Sequence, residues 1–200
     1  MGFLVTFIAI LFGSFPTGIV VGRWVTGRDI RKVGSGNFGA ANVVRAAGWK
    51  AGVAVAAIDI VKGILPVLLG RAVGLTPAWL AVVALAAVLG HDFSLFLRLK
   101  GGKGVATTLG VCLALAPAPT AVAVVIWVAV FALSRFTSLA SLLALAALPA
   151  VMALSGQPRA YVVLGVILLA VGAIKHWENI IRLAQGKEKG FGKPHAVDGG

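Results

Sequence analysis

Cysteine is almost missing from this chain of 200 residues: there is one, Cys112, and it lies inside an apolar stretch. A single thiol forms no intramolecular disulfide and no clustered thiolate metal site. Charge is scarce as well, at 12% of residues where a soluble domain carries about 25%. Acidic side chains number only 6 against 18 lysines and arginines, a formal net charge of +12. A balance that basic invites a nucleic-acid reading, but nucleic-acid binders place a basic face on a polar, soluble fold. Here the cations fall between apolar runs, which sets that class aside. No spacing of His, Cys or carboxylates suits a metal, and no Ser-His-Asp or Cys-His set is legible. No basic segment precedes the first apolar run, so residues 1 to 22 read as a spanning helix rather than a cleaved signal peptide.

What the chain has in excess is hydrocarbon. Hydrophobic residues make up 60% of it and its mean hydropathy is +1.01, against roughly 45 to 50% apolar residues in an ordinary domain. The expected fold class is all-α and membrane-integral. A stretch of about 20 apolar residues is long enough to cross a hydrocarbon core of roughly 30 Å. Spans are expected near 3–22, 51–70, 78–97, 104–116, 119–134, 137–154 and 160–175. They form a seven-helix bundle within a single domain covering 1–200, since no linker and no internal repeat divides the chain. Pro16 and Pro66 fall inside spans, where they either kink the helix or are tolerated.

The stretch from 104 to 134 is the ambiguous one. Read as one helix of 31 residues it would run about 46 Å at 1.5 Å per residue, too long for a single crossing, so two short helices turning at Pro117-Ala-Pro119 are expected. Charge points the same way. With that turn and the N-terminus outside, 15 Lys and Arg residues lie on the cytoplasmic side and only Arg71 and Arg159 outside; without it the split is 10 against 7. Cytoplasmic flanks carry the excess of basic residues, so the expected orientation is N-terminus out and C-terminus in.

That topology gathers three polar, glycine-rich segments, 27–49, 90–104 and 175–193, on the cytoplasmic face. The most informative is Arg98-Leu-Lys-Gly-Gly-Lys-Gly-Val-Ala-Thr-Thr-Leu-Gly110. Gly101, Gly102 and Gly104 let backbone N–H groups approach a bound group, Lys100 and Lys103 add full charge, and Thr107 and Thr108 stand one turn into the helix that follows, where they can offer hydroxyls. A helix N-terminus carries about half a positive charge and several unpaired donors, so phosphate is the natural guest. The spacing is not G-x-x-x-x-G-K-[ST], and no strand precedes it, which excludes a nucleotide P-loop. The plainer reading, a basic loop anchoring the protein to anionic lipid, explains the lysines but not the glycines.

The first segment, Gly34-Ser-Gly-Asn-Phe-Gly-Ala-Ala-Asn-Val-Val-Arg45, offers Ser35, Asn37 and Asn42 as neutral donors beside the Arg45 guanidinium. Asn42 and Arg45 are three apart and share a helical face. The plainer alternative is a capped interfacial helix with Ser35 or Asn37 as N-cap. The third segment, Lys175-His-Trp-Glu-Asn-Ile-Ile-Arg182, sets His176 and Asn179 on one face. His91 and Asp92 open the second segment, where such a neighbour pair either serves function or makes a structural hydrogen bond at a helix end. Asp59 and Lys62, at i and i+3 within the second span, are expected to pair with each other, because isolated charge is costly there.

Three of these runs resemble the signature motifs of one family. Residues 34–45, Gly90-His-Asp-Phe-Ser-Leu-Phe-Leu-Arg-Leu-Lys-Gly-Gly-Lys-Gly-Val-Ala-Thr107 and His176-Trp-Glu-Asn-Ile-Ile-Arg-Leu-Ala-Gln-Gly-Lys-Glu188 are similar, in order, to those of bacterial acyl-phosphate:glycerol-3-phosphate acyltransferases. Asp59-Ile-Val-Lys-Gly63 also looks like that family. The likeness covers nearly the whole chain. Two positions depart from it: Ser94 stands where proline is frequent, and Trp177 where arginine is common, which removes a cation near the site.

The resemblance implies a multi-pass enzyme of the bacterial inner membrane with its active site facing the cytoplasm. It implies transfer of a fatty acyl group from acyl phosphate to the 1-hydroxyl of glycerol 3-phosphate, giving lysophosphatidic acid and phosphate in the first acylation of phospholipid synthesis. Its expected partners are those two substrates and membrane lipid, with no cofactor, metal or nucleic acid. Ser35, Asn37, Asn42, Arg45, Lys103, His176 and Asn179 match the family's binding and activity-requiring positions. The working assignment gives Lys103, the 101–104 amides and Thr107 to one phosphate, and Arg45, Ser35 and Asn42 to the other. His176, oriented by Asn179, is the candidate base, with a substrate phosphate as the alternative. A transporter for a phosphorylated solute is the main rival, because broken helices aim their N-termini at anions there, yet the polar residues cluster on one face and there is no repeat pair. A non-catalytic anionic-lipid scaffold is the other.

Overall fold

The computed structural model describes residues 1–33 and 36–191, and among these every regular element is helical. The first expected span is two helices. α1 (Gly2–Ser14) stops because Pro16 has no N–H to donate and disfavours helical backbone at the residue before it; Phe15 is extended, at φ −58° and ψ 122°. α2 (Thr17–Thr26) resumes and ends on the left-handed Gly27. A 3₁₀ turn (Ile30–Lys32), capped by Asp29, leads to the short amphipathic α3 (Ala40–Ala47).

α4 (Trp49–Ala72) runs 24 residues through Pro66 without breaking. α5 (Pro77–Asp92) starts on a Thr76 cap and is the most enclosed of the long helices, with Val83, Ala84 and Ala87 fully buried. α6 (Val105–Leu115) and α7 (Pro117–Ser134) are separate helices that meet at Ala116, so the 104–134 stretch does break, one residue earlier than the expected turn. α8 (Thr137–Leu154), α9 (Arg159–Lys175) and α10 (Trp177–Ala184) complete the chain, with α10 bent 66° from α9.

Among the described residues, five segments are long and apolar enough to cross a membrane: Gly2–Thr26, Trp49–Ala72, Pro77–Leu97, Pro117–Ser134 and Thr137–Leu154. A sixth is added when α9 and α10 are taken as one bent span. The protein is therefore an all-helical membrane protein. α6 is apolar but has only 11 residues, a length of about 16 Å, too short to cross a hydrocarbon core of roughly 30 Å by itself. Small residues bring helices close where no hydrophobic effect drives them together. Gly63 on α4 faces the Thr107 carbonyl of α6, and a Cβ on Gly110 would overlap the Ile60 carbonyl. The Arg71 guanidinium donates to the Leu115 carbonyl at 3.0 Å and ties down the other end of α6.

The break at Phe15 leaves a carbonyl without a helical partner, and the interior supplies one. The Lys62 ammonium donates to Phe15 O at 3.0 Å while holding Asp59 at 2.7 Å. The side chains of the pair are only 5% and 3% exposed. The Ser94 hydroxyl closes the same break from α5's side, donating to Ser14 O at 2.5 Å. Serine at 94 thus makes a hydrogen bond that proline could not.

Candidate active site

The three polar segments do meet. Asp29 and Arg31 brace the first. The Asp29 carboxylate accepts the Arg31 backbone N–H at 3.0 Å and the Nε and Nη2 edge of its guanidinium, the shortest at 2.6 Å. Those hydrogen bonds hold the Asp29 carboxyl down at about 2. The Asn37 Oδ1 accepts the Gly39 N–H at 2.8 Å, closing an Asx turn at the entry to α3. Asn42 is buried, and its Nδ2 donates to Ile30 O at 3.2 Å and Val33 O at 3.0 Å. Its amide fastens the 3₁₀ turn to α3, where the sequence suggested a phosphate contact. Ser35 lies outside the described residues.

In the second segment the chain reverses through two left-handed non-glycine residues, Arg98 at φ 53° and Leu99 at φ 64°. It then wraps the end of α5. Gly102 N–H donates to His91 O at 3.0 Å. A Cβ on Gly101 would overlap the Asp92 backbone, one on Gly102 the His91 Nε2, and one on Gly104 would lie 2.6 Å from Asp92 Oδ1. The close approach that these glycines permit is to the protein's own helix end. The Thr107 hydroxyl, one turn into α6, is fully buried and has no protein hydrogen-bond partner.

Lys103 crosses to the third segment, where its ammonium donates to Asn179 Oδ1. Asn179 Nδ2 in turn donates to Glu188 Oε1 at 2.6 Å, an oxygen that also accepts from Ser138 Oγ at 2.7 Å. Arg182 Nε donates to Glu188 Oε2 at 2.9 Å. Burial raises the Glu188 carboxyl, but the donors from Asn179, Ser138 and Arg182 together outweigh it and hold it below its usual range. Burial pulls Lys103 down to about 8, against the attraction of Glu188, with Arg182 and Arg45 near enough to add to the fall. Arg45, half-buried on α3, belongs to this field.

His176 stands at the bend between α9 and α10, 3% exposed. Its Nδ1 is 2.8 Å from Gly172 O. A carbonyl only accepts, so Nδ1 carries the hydrogen and Nε2 keeps its lone pair. The Gly172 carbonyl therefore orients His176, and the expectation that Asn179 does so is corrected: Asn179 is committed to Lys103 and Glu188.

Between the first two segments lies an open cavity of about 310 Å³, lined by Arg31, Gly36, Asn37, Phe38, Lys100 and Gly101. It adds Arg31 to the expected set and includes Lys100 of the glycine-lysine turn. Glu188 was also missed, although a signal existed: with only 6 acidic residues in the chain, a carboxylate inside a basic segment is conspicuous. The result is a surplus of cations over the carboxylates that brace them, Asp29 on Arg31 and Glu188 and Glu178 on Arg182, beside a lone-pair imidazole. Among the described residues no grouping of three or more His, Cys, Asp or Glu side chains suits a metal. The excess of positive charge suits an anion.

The model of the glycerol-3-phosphate acyltransferase family matches residues 3–186. The glycerol-3-phosphate acyltransferase of Rubrobacter xylanophilus is 48% identical over 189 residues, 94% of each chain. That of Desulforudis audaxviator is 47% identical over 188 residues, again 94% of each. Among solved structures, PlsY (YgiH), an integral membrane glycerol 3-phosphate acyltransferase, in its glycerol 3-phosphate form superposes with a TM-score of 0.91 at 38% identity, covering 96% of each chain. Its lysophosphatidic acid form gives 0.88 at 36% identity, covering 96% of this chain and 95% of that one.

Proposed function

This chain belongs to the glycerol-3-phosphate acyltransferase family, and from that membership we propose that it moves a fatty acyl group from acyl phosphate to the 1-hydroxyl of glycerol 3-phosphate. The products are lysophosphatidic acid and inorganic phosphate. The neighbouring structures that carry glycerol 3-phosphate and lysophosphatidic acid support the acceptor and the product. The protein sits in the bacterial inner membrane as seven spans, α6 being the short one, with the N-terminus outside and the site open to the cytoplasm.

The observation that carries the acyl-phosphate donor is the junction at Lys103. There the glycine turn, α10 and the Arg45 helix bring Lys103, Arg182 and Arg45 into one electrostatic field with the Glu188 and Glu178 carboxylates, and Arg31 and Lys100 line the cavity beside it. Two phosphate dianions need such a surplus, and a mixed anhydride needs little else, because its leaving group is already stable. Lys103, the 101–104 segment and Thr107 hold one phosphate; Arg45 and Ser35 hold the other, with Asn37 beside it and Asn42 fixing the turn. The acceptor hydroxyl attacks the acyl carbon, the new ester C–O bond forms, and the anhydride C–O bond breaks with its electron pair leaving on phosphate. The hydroxyl proton passes to His176 Nε2 or to a substrate phosphate oxygen. A positioned donor at a developing charge is typically worth about a hundred- to a thousandfold, and a general base a similar factor.

The test is phosphate release from palmitoyl phosphate by the purified protein, with and without glycerol 3-phosphate, for wild type, Lys103→Ala and His176→Ala. Release that needs the acceptor and vanishes in Lys103→Ala is expected. Release indifferent to glycerol 3-phosphate would make the protein a hydrolase and end the proposal. A His176→Ala variant with most of its turnover would move the base to a substrate phosphate.

A further inference from the structure

We infer that His91 is a positioning residue that sets the two glycine turns against each other, and that position 102 is glycine because the His91 imidazole occupies the space a side chain would need. His91 is 4% exposed at the last turn of α5 and takes no part in the proposed chemistry. Its surroundings are specific. Its backbone carbonyl accepts the Gly102 N–H at 3.0 Å, and its Nε2 lies where a Gly102 side chain would begin. Phe38, from the first turn and also 4% exposed, packs on the ring with centroids 5.7 Å apart and planes tilted by 50°. Nδ1 points to Asp59 Oδ1 at 3.9 Å, and Asp59 is held by Lys62, which holds the Phe15 carbonyl at the α1–α2 break.

One imidazole therefore touches the first turn through Phe38 and the second through Gly102, and faces Asp59 of α4 at 3.9 Å, beyond hydrogen-bond distance. Phe38 and Gly101 are both lining residues of the cavity between those turns, and Gly102 precedes Lys103. The width of the cavity and the aim of the lysine are set together by the thickness of the ring. The competing explanation of Gly102 is that a ligand phosphate must come within van der Waals reach of bare backbone. The two differ in one respect: shrinking His91 makes room for a methyl on residue 102 only if the imidazole is the obstacle.

The inference rests on the acyl-transfer reading for its kinetic readout, and the experiment separates the two. Wild type, His91→Ala, Gly102→Ala and His91→Ala/Gly102→Ala, each full-length and purified, are compared for glycerol 3-phosphate KM, kcat and thermal unfolding. His91→Asn and its Gly102→Ala double variant repeat the cycle with a shorter side chain that keeps an amide toward Asp59, should the alanine not fold. Gly102→Ala is expected to raise KM about tenfold with little change in kcat, and the double variant to recover most of that, a coupling usual for side chains in contact. A double variant no better than Gly102→Ala, or effects that simply multiply, overturns the inference, as does a loss confined to kcat. Were wild type to show no turnover, the acyl-transfer reading would fall, and the melts would still decide: coupled melts sustain the packing of His91 on Gly102 and additive melts overturn it.

Discussion

Lys103 donates to Asn179 across 76 residues of chain, and that contact joins the glycine turn to the last helix. Asn179 faces Lys103 as an acceptor because its other end is spent on Glu188. The amide orientation follows from the carboxylate, and so does the position of the ammonium.

Glu188→Gln should therefore injure the reaction without touching a substrate. It leaves an acceptor for Asn179 but removes the charge that holds Arg182 and the Ser138 hydroxyl. Hydrogen bonds to charged groups contribute about 1.5 to 3 kcal/mol, so kcat/KM is expected to fall roughly ten- to a hundredfold, with a lower melting temperature. Steady-state kinetics beside a melt would check it, and wild-type kinetics in the variant would show the carboxylate to be incidental.

Lys103 gives the site a pH limit. With its pKa lowered to about 8, the free enzyme carries the ammonium below that pH and loses it above. Since kcat/KM reports ionisations of the free enzyme, its value for glycerol 3-phosphate should decline as pH rises through about 8. Arginine stays charged, so Lys103→Arg, where active, should flatten that limb. A limb that stays put in the arginine variant would assign it to another group.

Lys62→Met leaves Asp59 as an unpaired charge in the bundle. Breaking a buried pair by removing one partner typically costs about 3 to 5 kcal/mol. Equilibrium unfolding in detergent should show a loss of that order, and Asp59→Asn/Lys62→Met should recover most of it. If the double variant is as unstable as the single one, the bond from Lys62 to Phe15 O matters more than the ion pair.

Gly110→Ala tests the seating of α6. The added methyl overlaps the Ile60 carbonyl, so α6 must move off α4, and overpacking of that kind typically costs about 1 to 3 kcal/mol. Because α6 starts at Val105, capped by Gly104 and two residues from Lys103, turnover should fall with the melting temperature. A variant that melts earlier yet turns over normally would uncouple the two.

Much of the fold was legible because its signals are local. Apolar length located the long helices, the excessive length of 104–134 required the break found at Ala116, and Asp59 and Lys62 at i and i+3 had to pair in an apolar setting. Pro16 was left open between a kink and no effect. It breaks the helix, where Pro66 does not, because Lys62 and Ser94 are there to satisfy the carbonyls the break exposes.

By itself the sequence determined that this is a membrane protein and that its polar, glycine-rich residues gather in three segments, since hydropathy, proline and glycine act on their own neighbourhood. Only the tertiary structure decided who faces whom. It gave Asn179 to Lys103 and His176 to the Gly172 carbonyl, set Asn42 to holding its own turn, and made the glycines a seat for the end of α5. A side-chain donor or acceptor takes whichever partner the packed helices bring within about 3 Å, and for residues 76 positions apart that distance is a property of the bundle.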